Sequence, residues 1–191
     1  MRKPGRYVIP DIAKDNQGIW SAMDFDSLVD SYQKPIYNLI YRLLDDRDEA
    51  ADITQETFVA AYRSWDSFRG ESTEYTWLYR IAVNLCKNRF RQRDRRRQYE
   101  GPSLDDASWS DDRPSETPGG IVERKELKDM IEQAISRLPD DYRIVAVLRD
   151  LHGLSYADIA AATDLSVDVV KTRLARARGM LRSKLGAYIE G

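Results

Sequence analysis

One cysteine, Cys86, and one histidine, His152, leave little material for most active-site chemistry. A lone cysteine forms no internal disulfide and no cysteine zinc site. A lone histidine without a cysteine or histidine partner removes the usual metal and nucleophile arrangements. No metal or other cofactor is therefore expected. A phosphate-binding Gly-Lys loop is also missing, and the acids fall on helix surfaces or in a linker, so no enzyme activity is expected. Apolar runs stop well short of the ~18 residues that a membrane helix needs, and the N-terminus lacks a signal-peptide core. The expectation is a soluble, cytoplasmic chain with no membrane insertion. No segment reads as a strand, which leaves an all-α fold.

What the chain does have is charge, sorted into blocks. The formal net charge of −2 conceals this. Asp45–Glu56 carries six acids against Arg47, and Asp105–Glu116 carries five against Arg113. Lys87–Arg97 holds seven basic side chains against Asp94, and Lys171–Lys184 holds six with no acid. Basic runs of this density attract polyphosphate backbones, although an isolated one is usually a solvated helix end. The first run is not isolated. It continues a helix in which Trp77, Leu78, Ile81 and Leu85 recur at helical spacing, which anchors it to a packed domain. Tyr75, Thr76, Tyr79, Arg80 and Asn84 fall off that stripe. Aromatic and basic groups interleaved on one open face suit single-stranded nucleic acid better than an intact duplex.

Taken in order, residues 1–21 read as an N-terminal tail, with Trp20 docking on the first helix. Phe25, Leu28, Val29, Tyr32, Ile36, Ile40 and Leu43 then follow helical spacing, with Pro35 marking either a kink or a boundary. Asp45-Asp46 forms a turn and an N-cap for a helix over DEAADITQETFVAAYRSW. Its core side is Ile53, Thr57, Phe58, Ala61 and Trp65; Asp52, Gln55, Glu56 and Val59 point elsewhere. Asp66–Ser72 is a loop containing Gly70, and Ser72 or Thr73 caps the long basic helix. Residues 22–98 make the first domain. Residues 99–120, with three prolines and three glycines, form a flexible acidic linker.

Residues 121–191 make a second helical domain. Leu127, Met130, Ile131, Ala134, Ile135 and Leu138 give one helix, ended by Pro139. Ile144, Val145, Val147, Leu148 and Leu151 give another, ended by His152-Gly153, with Gly153 as a left-handed cap. Ser155 and Asp158 form a capping box, and Ser166 caps a last helix running to about Leu185. LSYADIAAATDLSVDVVKTRLARARGML has the layout of a helix-turn-helix packed through Ile159, Leu165, Val170 and Leu174. Ala160 and Ala161 allow close approach. The second helix of this motif exposes Lys171, Thr172, Arg173, Arg176 and Arg178, so base edges and phosphates are both within its chemistry. Cys86 reads as a half-buried filler and His152 as a helix-end residue.

DEAADITQETFVAAYRSW, FRGESTEYTWLYRIAVNLCKNRFR and LPDDYRIVAVLRDLHGLSYADIAAATDLSVDVVKTRLARAR together resemble the bacterial RNA polymerase sigma factors of the extracytoplasmic-function group, within the sigma-70 family. The resemblance spans about Phe25 to Leu185. It implies a region 2 bundle and a region 4 helix-turn-helix, with no domain between them and no appended sensor. Asp52, Gln55, Glu56 and Phe58 match the motif that grips a coiled coil in the largest subunit of core RNA polymerase. Phe68, Arg69, Gly70, Glu71 and Ser72 match the loop that captures a flipped base of the −10 non-template strand. Trp77, Tyr79, Arg80, Asn84, Lys87, Asn88 and Arg91 match residues that hold the opened strand and upstream duplex. Val169, Lys171, Thr172, Arg173 and Arg176 match the helix that reads the −35 duplex. Promoter DNA, core polymerase and an anti-sigma factor are the implied partners. A stand-alone regulator would use the helix-turn-helix alone, leaving the aromatic and basic first domain unexplained.

Overall fold

The computed structural model describes residues 25–65, 73–100 and 121–189. The expectations for the N-terminal tail, for the Phe68–Ser72 loop and for most of the linker lie outside the described residues. Among those described, the chain is all-α. The first domain contains α1 (Phe25–Leu44), α2 (Arg47–Ser64) and α3 (Glu74–Glu100). The second contains α4 (Ile121–Ser136), α5 (Asp140–Ala146), α6 (Tyr156–Thr163) and α7 (Val167–Ile189).

Leu28, Tyr32, Ile36, Leu39, Ile40 and Leu43 lie on one helical face of α1, and all are buried. Pro35 lies inside this one continuous helix. It removes a backbone donor, but the buried side chains on both sides of it hold the helix through. Asp45 ends α1 in the left-handed region, at φ 57°, and its N–H closes on the Tyr41 carbonyl at 2.8 Å. Asp46 then caps α2, its carboxylate accepting from the Glu49 N–H at 2.8 Å. Ile53, Thr57 and Ala61 are buried as their spacing predicts, and Phe58 and Trp65 are half-buried. The Thr54 and Thr57 hydroxyls return to the carbonyls of Ala50 and Ile53, so neither is an orphan in the core.

Helix α3 differs from its expected pattern. Thr73 starts it, accepting from the Thr76 N–H at 3.1 Å. Leu78, Ala82 and Cys86, at i, i+4 and i+8, have no exposed area, whereas Trp77, Ile81 and Leu85 are only half-buried. Thr76 and Tyr79, expected on the open face, are buried as well. The reason is that α3 packs on two sides at once: against α1 and α2, and against α6 of the second domain. One apolar core therefore runs without a break from Leu28 in α1 to Leu174 in α7.

In the second domain α5 passes into a π-helical turn, Val147–Leu151, that buries Val147 and Leu148. Gly153 follows at φ +74°, the left-handed region that favours glycine. The capping box on α6 is formed by both the Ser155 and Asp158 side chains. Asp164 turns the chain at φ 57°, and the Val169 N–H reaches the Ser166 hydroxyl at 3.3 Å to start α7. Ile159, Val170 and Leu174 fill the motif together with Ala162, while Ala160 is half-buried against this core and Ala161 is exposed.

Cys86 is fully buried rather than half-buried. Burial pushes its thiol up to about 12, with the Glu49 charge adding and Arg93 opposing. Ellman's reagent should therefore leave the native chain unmodified and titrate one thiol in denaturant. Leu39→Ala should destabilise the fold by about 2–5 kcal/mol, measured by urea unfolding.

Candidate nucleic-acid and partner interfaces

The acidic side of α2 is open. Asp52, Gln55 and Glu56 are exposed, and Phe58 is half-buried beneath them. Val59 and Tyr62 continue the same side of the helix and are also exposed, which gives it an apolar lower half. Glu56 faces Arg89 of α3 at 3.5 Å with both side chains partly in water, a weak pairing. A shallow groove of ≈ 300 Å³ runs beside this face, lined by Gln33, Lys34 and Tyr37 of α1 and by Ala51, Thr54 and Gln55 of α2. A polar, acidic helix face beside a groove suits a partner helix.

The residues assigned to the opened strand divide into three sets on α3. Asn84, Asn88 and Arg91 are exposed, with Arg91 donating to Asn88 at 3.2 Å. Trp77 is half-buried and packs on Trp65 with ring centroids 6.0 Å apart. Tyr79, Arg80 and Lys87 face the second domain instead. The Tyr79 hydroxyl lies 2.8 Å from His152 Nδ1, with both side chains buried. Arg80 pairs with Asp164 at 2.8 Å. The Lys87 ammonium donates to the Thr163 carbonyl, at the C-terminal end of α6, at 2.7 Å. Burial lowers the Lys87 pKa, and Asp164 and Asp141 oppose that shift. Phe68, Arg69, Gly70, Glu71 and Ser72 lie outside the described residues.

On α7, Val169, Thr172, Arg173 and Arg176 occur at i, i+3, i+4 and i+7 and share one side of the helix. Lys171 projects from the opposite flank. All are exposed except Arg173, which pairs with Asp141 at 2.8 Å and is half-buried. Arg178 also turns back, its Nε donating to Asp150 at 3.1 Å. The exposed cations among the assigned residues are Lys171, which reaches Asp168 at 3.4 Å, and Arg176.

Four residues join the two domains in a way their sequence context does not indicate. Arg143, 12% exposed, donates to the Leu43 carbonyl at the end of α1 at 2.6 Å. It also donates to the Leu138 carbonyl at 2.9 Å and lies over the Phe90 ring at 5.8 Å. Asp158 accepts from the Thr76 hydroxyl at 3.1 Å, Asp164 holds Arg80, and His152 holds Tyr79. The available signal was a second stripe on α3, Thr76, Arg80, Val83 and Lys87, at i, i+4, i+7 and i+11. Its polar members made it look like an exposed face. Among the described residues no His, Cys, Asp or Glu cluster could hold a metal ion, and no helix is long and apolar enough to cross a membrane.

His152 is pushed down to about 4, chiefly by burial and further by the nearby Arg42 charge. The folded value lies below the ordinary 6.5, so the proton prefers the unfolded chain. The stability this neutral histidine contributes is complete above pH 6.5 and declines as pH falls toward 4, by roughly 3 kcal/mol in all. Because the chain has one histidine, its proton NMR titration is unambiguous. It should show a midpoint near 4, and an ordinary value would contradict the buried contact.

Comparison with known proteins extends the likeness across both domains. Residues 28–96 match Sigma-70 region 2, and residues 128–181 match Sigma-70, region 4. The chain is 41% identical over 158 residues to the RNA polymerase sigma-H factor of Pseudomonas aeruginosa, covering 81% of this chain and 82% of that protein. It is 41% identical to the ECF RNA polymerase sigma-E factor of Haemophilus influenzae, covering 84% and 87% of the two chains. Among solved structures it is similar to the sigma factor RpoE of Bartonella quintana, in complex with the anti-sigma factor NepR. That likeness has a TM-score of 0.68 at 25% identity and covers 85% of this chain and 97% of that one. CnrH, in complex with the cytosolic domain of CnrY, gives a TM-score of 0.61 at 27% identity and covers 85% and 88%.

Proposed function

The chain belongs to the sigma-70 family of RNA polymerase sigma factors, of the extracytoplasmic-function type, and on that footing we propose how its surfaces divide the work of initiation. It is a transcription initiation factor that directs core polymerase to promoters. The first domain docks on the coiled coil of the largest polymerase subunit through Asp52, Gln55, Glu56 and Phe58. The Phe68–Ser72 loop captures a −10 base of the non-template strand. Trp77, Tyr79, Arg80, Asn84, Lys87, Asn88 and Arg91 hold the opened strand and adjacent duplex. Val169, Lys171, Thr172, Arg173 and Arg176 read the −35 duplex. Residues 22–98 and 121–191 act as the two modules, and the acidic linker spans them along the polymerase. Once one module is docked, the other binds at high effective concentration, so two weak modules suffice. Chemistry belongs to the polymerase, and the working compartment is the cytoplasm. An anti-sigma factor is the expected regulator, as the anti-sigma factor NepR bound to the similar RpoE of Bartonella quintana suggests.

The observation that carries this reading is the coexistence, in one chain, of an exposed acidic helix face on α2 and an exposed recognition-helix face on α7. Run-off transcription with purified core polymerase on a promoter library tests it and reads both promoter elements together. Promoter-independent output, or tight promoter binding without core, would overturn it. Arg176→Ala should cost about 1–3 kcal/mol of promoter affinity if it contacts a base edge, with relaxed preference at one −35 position. Neutralising Arg95, Arg96 and Arg97 should weaken binding evenly across sequences and flatten its salt dependence. Substitutions in Phe68–Ser72 should instead change which −10 element is opened.

A further inference from the structure

We infer that Asp168 is a base-reading residue of α7, and that with Lys171 it selects one C·G pair in the −35 duplex. This rests on the assignment of α7 to the −35 duplex given above. Asp168 is the single acid of α7, followed by six cations between Lys171 and Lys184. Its side chain is 92% exposed, and Thr172, Ala175 and Arg176, at i+4, i+7 and i+8, continue the same open side of the helix. A carboxylate there repels the phosphates that the neighbouring cations attract, so it costs affinity for any DNA it does not read. One base edge in the major groove offsets that cost. Cytosine presents an N4 amino donor, from which a carboxylate accepts. Guanine and thymine present no amino donor in this groove, and adenine sets its amino group beside the N7 acceptor.

Local structure does not require the acid. The start of α7 is already capped, with the Ser166 hydroxyl accepting from the Val169 N–H at 3.3 Å. The Thr172 hydroxyl returns to the Asp168 main-chain carbonyl at 2.8 Å and makes no use of the carboxylate. A first-turn acid does complement the helix dipole, but it would do so equally on the side away from DNA. The Asp168 carboxylate lies 3.4 Å from the Lys171 ammonium, with both side chains largely in water, a pairing weak enough to be exchanged. The nearby Arg173 is held instead by Asp141 at 2.8 Å. Asp168 and Lys171 thus set an acceptor beside a donor. A C·G pair is the complement, with the cytosine amino donor beside the O6 and N7 acceptors of guanine.

The test uses the full chain on core polymerase with a promoter library randomised across the −35 element, the run-off products being sequenced to give the base preference at each position. The parent should favour C·G over the other pairs at one position by about 10-fold. Asp168→Ala and Lys171→Ala should each largely abolish that preference, at the same position, and leave the other positions as they were. Asp168→Asn has the same shape but carries an amide, which pairs with N6 and N7 of adenine, so the preferred pair there should change from C·G to A·T. A residue acting only through the helix dipole would shift thermal unfolding and total product without moving a base preference. Asp168→Ala with the parent's preferences overturns the proposal. So does an even rise in product across all sequences, which would make the acid a general repellent of DNA. Relaxation at different positions in the two alanine variants overturns the shared pair. A parent that gives core-dependent product but reads no −35 position overturns the assignment of α7 itself, a failure distinct from a sharp parental preference that Asp168→Ala leaves intact.

Discussion

Everything in this fold depends on α3 being packed from two directions. A helix with one buried side can present the other to a ligand; α3 buries Leu78, Ala82 and Cys86 without exposure and still gives up Thr76 and Tyr79 to the second domain. The polar atoms that go with the second side must then be satisfied, because an unpaired buried donor or acceptor costs about 1–3 kcal/mol. The junction answers this group by group. Thr76 has Asp158, Tyr79 has His152, and among buried side chains of the described residues no nitrogen or oxygen is left without a partner.

The same constraint explains the polar character of the contact. An interface of leucines would be non-directional, and an interface of exposed ion pairs alone would hold little, since Arg80 and Asp164 remain half in water. What lies between is a buried hydroxyl–imidazole pair and three donors aimed at helix ends. Hydrogen bonds of this kind fix a geometry with modest net free energy.

The sequence made much of this legible. The spacing along α1, the Asp46 and Ser155 caps, the turn at Asp164 and the helix-turn-helix core all follow from local chemistry, and local chemistry is what a sequence displays. The inside of α3 was harder. Trp77, Ile81 and Leu85 formed the more hydrophobic stripe, yet the smaller Ala82 and Cys86 are the ones with no exposure. Thr76 and Tyr79 looked like ligand-facing groups because their amphipathic side chains fit water and a polar interior equally well. Arg143 gave no signal at all, as its partners are carbonyls and a ring in another domain. Such pairings are set by tertiary placement, and a single sequence carries no record of them.

Three of the links between the domains end on main-chain oxygens: Arg143 on Leu43, Lys87 on Thr163 and Tyr75 on His152. No side-chain substitution at Leu43, Thr163 or His152 deletes those acceptors. Each link is thus lost by changing its donor, Arg143 in the second domain or Lys87 and Tyr75 in the first. A chimera that receives a foreign α1 keeps its Leu43-equivalent carbonyl and can still be clasped, whereas one that receives a second domain without a cation at position 143 loses the clasp while keeping every residue of its own first domain. Inheritance of the domain contact follows the donors.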